Sequence, residues 1–293
     1  MNPEVGCQSM VDPIRLCLVK HPSASHVDQA TIDEQWQALH YPARPRFDNV
    51  LAEYERFVDL LGRHGVELLQ LPRHATVGLD SIYTHDPVVV TGQGVILGNM
   101  GKPQRLAEPA VAAEFLRHIG MPILGEIGGD GRLEGGDVCW LDARTVAVGM
   151  GYRTNAEGIR QLRTLLNGLV DEVIPVPLPH WTGPDDCLHL LSIISPVDHR
   201  KAVVYSRMMP VPFRDLLLAR GFTLIEVPDK EYDSMACNVL AIGPGQCIML
   251  DGNPVTRGRL EDAGVEVAVF SGQDLCIKGG GGPTCLTRPL LRR

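Results

Sequence analysis

A chain of 293 residues is long enough for one large domain or two small ones, with a sizeable core. Apolar residues make up 44% and charged residues 21%, which fits a globular protein and excludes disorder as a description of the whole chain. The formal charge of −8, with no block of five Lys or Arg, argues against nucleic acid or an anionic membrane as the main partner. No apolar run approaches the ~18 residues of a membrane helix. Met1–Asp12 has neither a basic nor an apolar leader segment, so no signal peptide is expected. Eight cysteines with no Cys-x-x-Cys pair weaken a zinc or thioredoxin-like reading and fit reduced thiols in the cytoplasm. Cys17, Cys139 and Cys247 sit in apolar runs and read as small core residues, and Cys187, Cys237 and Cys276 are given no role beyond packing.

In chain order the pattern repeats. A strand at Ile14–Lys20 is followed by Val27–Arg44, a stretch without clean periodicity that reads as a pocket cover or a surface excursion. Ala52–Leu71 then shows an amphipathic helix, a Gly, and a short strand. The same unit recurs at Pro109–Ile127, Ala156–Val176, Phe213–Val227 and Thr256–Phe270. In four of the five the helix ends on Gly65, Gly120, Gly221 or Gly264, the usual left-handed stop; the third runs Asn167-Gly168 instead. Between the units lie hairpin patterns at Val88–Leu97, Val138–Val148, Leu190–Tyr205 and Val239–Leu250. A fifth hairpin is assembled from Cys285–Leu291 and Ile14–Lys20. The reading is one domain over 1–293, of α/β class, with about five strand–strand–helix–strand units closed by the termini. An α/β protein without symmetry is the alternative.

Every hairpin is preceded by chemistry. Asp86 comes before Val88, Glu134 and Asp137 before Val138, His189 before Leu190, Asn238 before Val239, and Cys285 before Leu286. Units arranged around one axis would bring these positions to one end of it. A Cys, a His and several acids there make a nucleophile, a proton shuttle and a cation cradle. Each residue also has a plainer reading. Gly279–Gly282 before Cys285 fits a flexible turn, and no phosphate-loop Gly-Lys-Ser/Thr follows it. His189 between leucines fits a core histidine, while Asp80, Asp86, Glu134 and Asp137 fit turns and caps.

The motifs Asp80-Ser-Ile-Tyr-Thr-His-Asp86-Pro87, Leu133-Glu-Gly-Gly-Asp137, Arg153-Thr-Asn-Ala-Glu-Gly158, Leu188-His-Leu190, Ala236-Cys-Asn238 and Gly281-Gly-Pro-Thr-Cys-Leu-Thr287 occur in this order. Together they resemble the guanidino-group-modifying branch of the amidinotransferase (pentein) superfamily, and most closely the dimethylarginine dimethylaminohydrolases. The resemblance runs from the first strand to Arg288. It implies a pentein α/β-propeller of five ββαβ-type units around a pseudo-fivefold axis.

The resemblance also implies roles. Cys285 would attack a guanidinium carbon, and His189 would protonate the leaving amine and then activate water. Glu134, counted with the catalytic residues, and Asp86 would hold the guanidinium. Arg153 would bind a substrate carboxylate, with Arg105 the nearest second candidate. Asp80 would take the α-amino group, Asp137 would orient its loop, and Asn238 belongs to the binding set. His85 stands where the dimethylarginine enzymes carry a second carboxylate, so it bears on the choice of substrate. A small guanidino compound is the implied partner, methylated arginine first. Deimination of arginine or another guanidino acid, and amidino transfer to an amine, are the alternatives. No metal or other cofactor is implied, and a homodimer is compatible. The chemistry is consistent: a delocalised guanidinium is a poor electrophile, so a thiolate is needed, and an ordinary Cys is only a few per cent thiolate near neutrality.

Overall fold

Glycine closes each of the five main helices. They span Phe47–Arg63, Glu108–His118, Ala156–Leu165, Val211–Ala219 and Pro254–Asp262. Gly65, Gly120, Gly168, Gly221 and Gly264 follow them with φ between 74° and 80°, a region that costs other residues a Cβ clash. In the third unit the glycine stands one position later, after Leu166 and Asn167. The first helix shows why it is stable: Val50, Tyr54, Phe57 and Leu61 recur at turn spacing, and all four are buried. The computed structural model describes residues 6–293, so the leader reading at Met1–Asp12 falls partly outside the described residues.

Among the described residues fifteen strands form five three-stranded sheets. The first joins the ends of the chain, with β15 (Arg288–Arg292) beside β1 (Ile14–Val19) and β2 (Glu67–Gln70). The second is β3 (Val88–Val90), β4 (Val95–Leu97) and β5 (Ile123–Glu126); the third is β6 (Val138–Asp142), β7 (Thr145–Met150) and β8 (Glu172–Pro177). Strands β9 (Ile194–Asp198), β10 (Lys201–Val204) and β11 (Thr223–Glu226) form the fourth, and β12 (Leu240–Gly243), β13 (Gln246–Leu250) and β14 (Glu266–Phe270) the fifth. In every sheet an antiparallel pair is extended by a parallel third strand. A parallel neighbour needs a long crossover, and one of the five helices supplies it each time. This is the five-unit ββαβ architecture of the pentein fold.

Burial orders the layers. Strands β3, β12 and β15 are buried along their whole length, whereas β2, β5 and β8 are mostly part-buried or exposed. The opening strands therefore form the inner wall, and the turns leading into them gather at one end. Two hairpins start later than the apolar pattern suggests. Leu190–Ser192 is a 3-10 turn, so β9 begins at Ile194; a turn after Cys285 delays β15 to Arg288. In both places the chain bends so that the preceding polar residue faces inward.

The aperiodic stretch has structure as well. Asp28 caps a helix at Gln29–Gln35 by accepting from Thr31 N at 2.8 Å, and Ile32, Leu39 and Tyr41 pack with Leu79. Lys102 Nζ holds its end through the Leu39 carbonyl at 2.7 Å. No helix among the described residues is long and apolar enough to cross a membrane.

Candidate active site

Turns from separate units meet at a cavity of about 390 Å³. Cys285, His189, His85, Arg153 and Asn238 line it, together with Lys102, Cys187, Leu39 and His40. Glu134, Asp86, Asp80, Asp137 and Arg105 are not among the lining residues; they stand behind it and hold the residues that are.

Cys285 is placed by a tight loop. Asn238 Nδ2 lies 3.3 Å from its Sγ, and Asn238 Oδ1 accepts from Thr284 N at 3.0 Å. The glycines have a steric reason: a Cβ on Gly282 would lie 2.6 Å from the Asn238 side chain, and one on Gly281 would collide with the Tyr83 ring. Hence the Gly-rich run is a close-packed turn and not a loose one. Burial, with Asp86 and Cys187 nearby, pushes the Cys285 thiol up to about 12. At neutral pH it is a thiol until a cation enters the cavity.

His189 caps its 3-10 turn, and its N–H donates to Ser192 Oγ at 3.1 Å. Nε2 lies 2.7 Å from Glu134 Oε2, and Nδ1 lies 3.6 Å from Cys187 Sγ and 4.0 Å from Asp86 Oδ1. Burial favours the neutral ring, but Cys187, Asp86 and Asp137 outweigh it and hold the imidazole well above its ordinary value. The charged form of the ring is thereby favoured. Asp137 accepts from Leu190 N at 2.9 Å, which fixes the turn carrying His189; burial raises its carboxyl to about 6.

The two acids expected to meet a guanidinium already hold cations. Glu134 Oε2 accepts from Arg153 Nη1 at 2.7 Å as well as from His189, and Oε1 accepts from Gly101 N and Lys102 N at 2.9 and 3.2 Å. Burial works against ionisation, but the His189 bond and the Arg153 charge keep this carboxyl at about 2. Asp86 accepts from Gly136 N at 3.1 Å and from Arg105 Nη1 at 2.6 Å. Arg105 and His189 overcome its burial and hold it far below the usual carboxylate range. Donor atoms of Asp86, Glu134 and His189 lie within 4.8 Å of one another, close enough for a metal ion. Their facing oxygens are taken by arginine and backbone N–H groups, so the trio forms an ion-pair cluster.

Two expected binding groups are spent elsewhere. Arg105 donates to Glu108, Asp86 and the Tyr83 carbonyl, is almost fully buried, and is not positioned as a second carboxylate anchor. Asp80 pairs with Lys102 Nζ at 2.6 Å and does not reach the cavity wall to take an amino group. Both pairings have one cause: Lys102 and Arg105 follow β4 closely, and the fold turns them back onto the Asp80–Asp86 segment. His85 is a neutral acceptor. Burial and the Arg288 charge lower it to about 3, and Nδ1 sits 2.8 Å from the Thr287 carbonyl. That tautomer leaves Nε2, which has no hydrogen-bond partner, as a bare lone pair.

Sequence reasoning missed Lys102 and Cys187. Cys187 carried a signal: in extended chain, residues two apart share a face, and it stands two before His189. Nothing local marked Lys102.

The arginine deiminase family model matches residues 79–214 and 210–292, which hold Cys285, His189, Glu134, Asp86 and Arg153. The chain belongs to the arginine deiminase family. Its members hydrolyse C–N bonds of linear amidines, and this chain is such a hydrolase. It is 32% identical to the uncharacterized protein YkgA of Bacillus subtilis (strain 168), over 82% of this chain and 79% of that protein. It is 27% identical to the N(G),N(G)-dimethylarginine dimethylaminohydrolase of Streptomyces coelicolor, over 94% of this chain and 96% of the enzyme. Among solved structures it is similar to dimethylarginine dimethylaminohydrolase of Pseudomonas aeruginosa complexed with citrulline. The TM-score is 0.77 at 22% identity, with 96% and 100% of the two chains covered, which shows the shared fold.

Proposed function

We propose that the chain, acting as a single catalytic domain, hydrolyses the terminal C–N bond of an arginine-like guanidine through a covalent intermediate on Cys285. The observation that carries this reading is the convergence of Cys285, His189 and Arg153 on one cavity, backed by Glu134 and Asp86. A substrate guanidinium exchanges for Arg153 on Glu134, and Arg153 turns to the substrate carboxylate as a bidentate fork. The incoming cation favours the Cys285 thiolate, the thiol proton passes to solvent water, and Sγ attacks the guanidinium carbon. His189 gives its proton to the departing amine, leaving a thiouronium. Water adds to that carbon as the now neutral His189 takes its proton, the C–S bond breaks, and a ureido product forms with the thiolate restored.

Methylated arginine, giving citrulline and a methylamine, is the first substrate choice; the enzymes of that name among the relatives support it. A second reading rests on His85. Its bare Nε2 seeks an N–H, which an unsubstituted or monomethylated terminal nitrogen has and a dimethylated one lacks. That favours release of ammonia or methylamine.

The test is amine release from arginine, monomethylarginine, asymmetric dimethylarginine, guanidinobutyrate and guanidinoacetate, with products resolved by mass and Cys285→Ser as blank. Dimethylamine or methylamine with citrulline supports the first reading, and methylamine without dimethylamine, or ammonia alone, supports the weight given to His85 in the second. No release from any of them, or release that persists in the blank, refutes the proposal.

A further inference from the structure

Three cysteines line the cavity: the reaction above uses Cys285, Cys237 is buried, and Cys187 is left over. Cys187 is half-buried, and its Sγ lies 3.6 Å from His189 Nδ1, within hydrogen-bond range for sulfur. We propose that Cys187 is a positioning residue for the reaction, holding the Nδ1 side of the His189 ring as a thiolate while Glu134 holds Nε2. The inference rests on the acid–base role given to His189 and adds a partner to it.

The geometry leaves that side of the ring to sulfur. The nearest carboxylate oxygen, Asp86 Oδ1 at 4.0 Å, is beyond hydrogen-bond range, and Asp86 is already held by Gly136 N and Arg105. Ser192 ties the two residues together: its Oγ accepts from His189 N at 3.1 Å and donates to the Cys187 carbonyl at 3.5 Å. The ring cannot tilt away, because Gly136 lies against it so closely that a Cβ would overlap Nδ1.

The charges around the pair are consistent with a thiolate. Glu134, Asp86 and Asp137 face the imidazole from their own turns. Arg153, His85 and Cys285 face it from the cavity side, with His85 neutral and Cys285 a thiol. Burial pushes the Cys187 thiol up, but the His189 and Arg153 charges outweigh it and leave it below its ordinary value. Cys285 moves the opposite way, so Cys187 and Cys285 divide the work. Cys187 forms and breaks no covalent bond; it shares the Nδ1 proton in the free enzyme and yields that edge of the ring when the departing amine takes the proton. Sharing that proton favours the imidazolium that the leaving amine needs.

The test has an arm without turnover and an arm with it. In Cys285→Ser protein, Cys187 is the only cysteine that is not buried, and its alkylation by iodoacetamide is followed by peptide mass against pH. The rate should be half-maximal below the ~8.5 of a free thiol and should move upward when His189→Gln is added. In the active enzyme, Cys187→Ala should shift the alkaline limb of the kcat/KM profile to lower pH by about one unit, roughly a tenfold loss on that limb. KM should be unchanged. Cys187→Ser keeps a hydrogen bond without charge and should behave like Ala, whereas Cys187→Asp should restore the limb. An alkylation midpoint at or above that of a free thiol overturns the pair, as does a profile unchanged by Ala or rescued by Ser. If none of the guanidines turns over, the functional reading fails, while the alkylation arm still decides the ion pair.

Discussion

Glu134→Gln tests whether the buried ion-pair cluster supports both the fold and the chemistry. The carboxylate takes four donors: Gly101 N and Lys102 N on Oε1, and Arg153 Nη1 and His189 Nε2 on Oε2. The amide of Gln has the same shape, and its carbonyl keeps the two backbone bonds. Its NH2 then faces two cationic donors with nothing to accept them. At about 1.5–3 kcal/mol for each charged hydrogen bond the loss is about 3–6 kcal/mol, the same size as breaking one partner of a buried ion pair. For a domain of this length that lowers Tm by about 6–12 °C. Without its Glu134 partner His189 moves toward the neutral ring, so turnover should also fall by about 10²–10⁴-fold. Differential scanning calorimetry gives the first quantity and amine release the second. A variant that melts within about 2 °C of wild type and keeps more than about a tenth of kcat would refute the reasoning.

Gly136→Ala places a methyl group against the His189 ring, which Glu134, Cys187 and Ser192 keep from moving. It should reduce turnover by at least about 100-fold with far-UV circular dichroism unchanged; near-normal kinetics would contradict the packing. Acid unfolding should report the depressed carboxyls. Glu134, at about 2 when folded and 4.5 ordinarily, contributes stability that is present above about pH 4.5 and lost as pH falls through about 2. The amount is on the order of 3 kcal/mol, so the slope of unfolding free energy against pH over that window should be shallower in Glu134→Gln, and equal slopes would count against the pair. His189 has the opposite sign. Its stabilisation is complete below about pH 6.5 and lost as pH rises through its higher folded value, so the Tm gap between wild type and His189→Gln should narrow above that pH.

Much of the fold was legible because its signals are local. A helix ending on Gly with an apolar run behind it reads the same in four of the five units, and the third departs at Asn167-Gly168. The hairpins follow from short apolar runs around turns. The strand starts at Ile194 and Arg288 were not legible, since Leu190 and Leu286 are as apolar as the strands they precede and only the bend that turns His189 and Cys285 inward moves them out. The ion pairs were hidden for a different reason. Which acid meets which arginine depends on how turns from different units meet, so Arg105 reads as a free anchor in sequence and is consumed by Asp86 and Glu108 in space. Cys187 lay between these cases: its spacing from His189 was visible, but its sulfur contact needed the turn at Ser192.

The central claim is a covalent amidino intermediate on Cys285. The direct measurement is intact-protein and peptide mass spectrometry after acid quench of the wild-type enzyme during turnover of a saturating guanidine. Acid stops hydrolysis of the adduct, so the fraction standing on the enzyme in steady state is trapped. The account predicts a mass gain equal to the substrate less one amine, located on the Cys285 peptide and absent from Cys285→Ser. Full turnover with no adduct at any time, or an adduct on another residue, would contradict it.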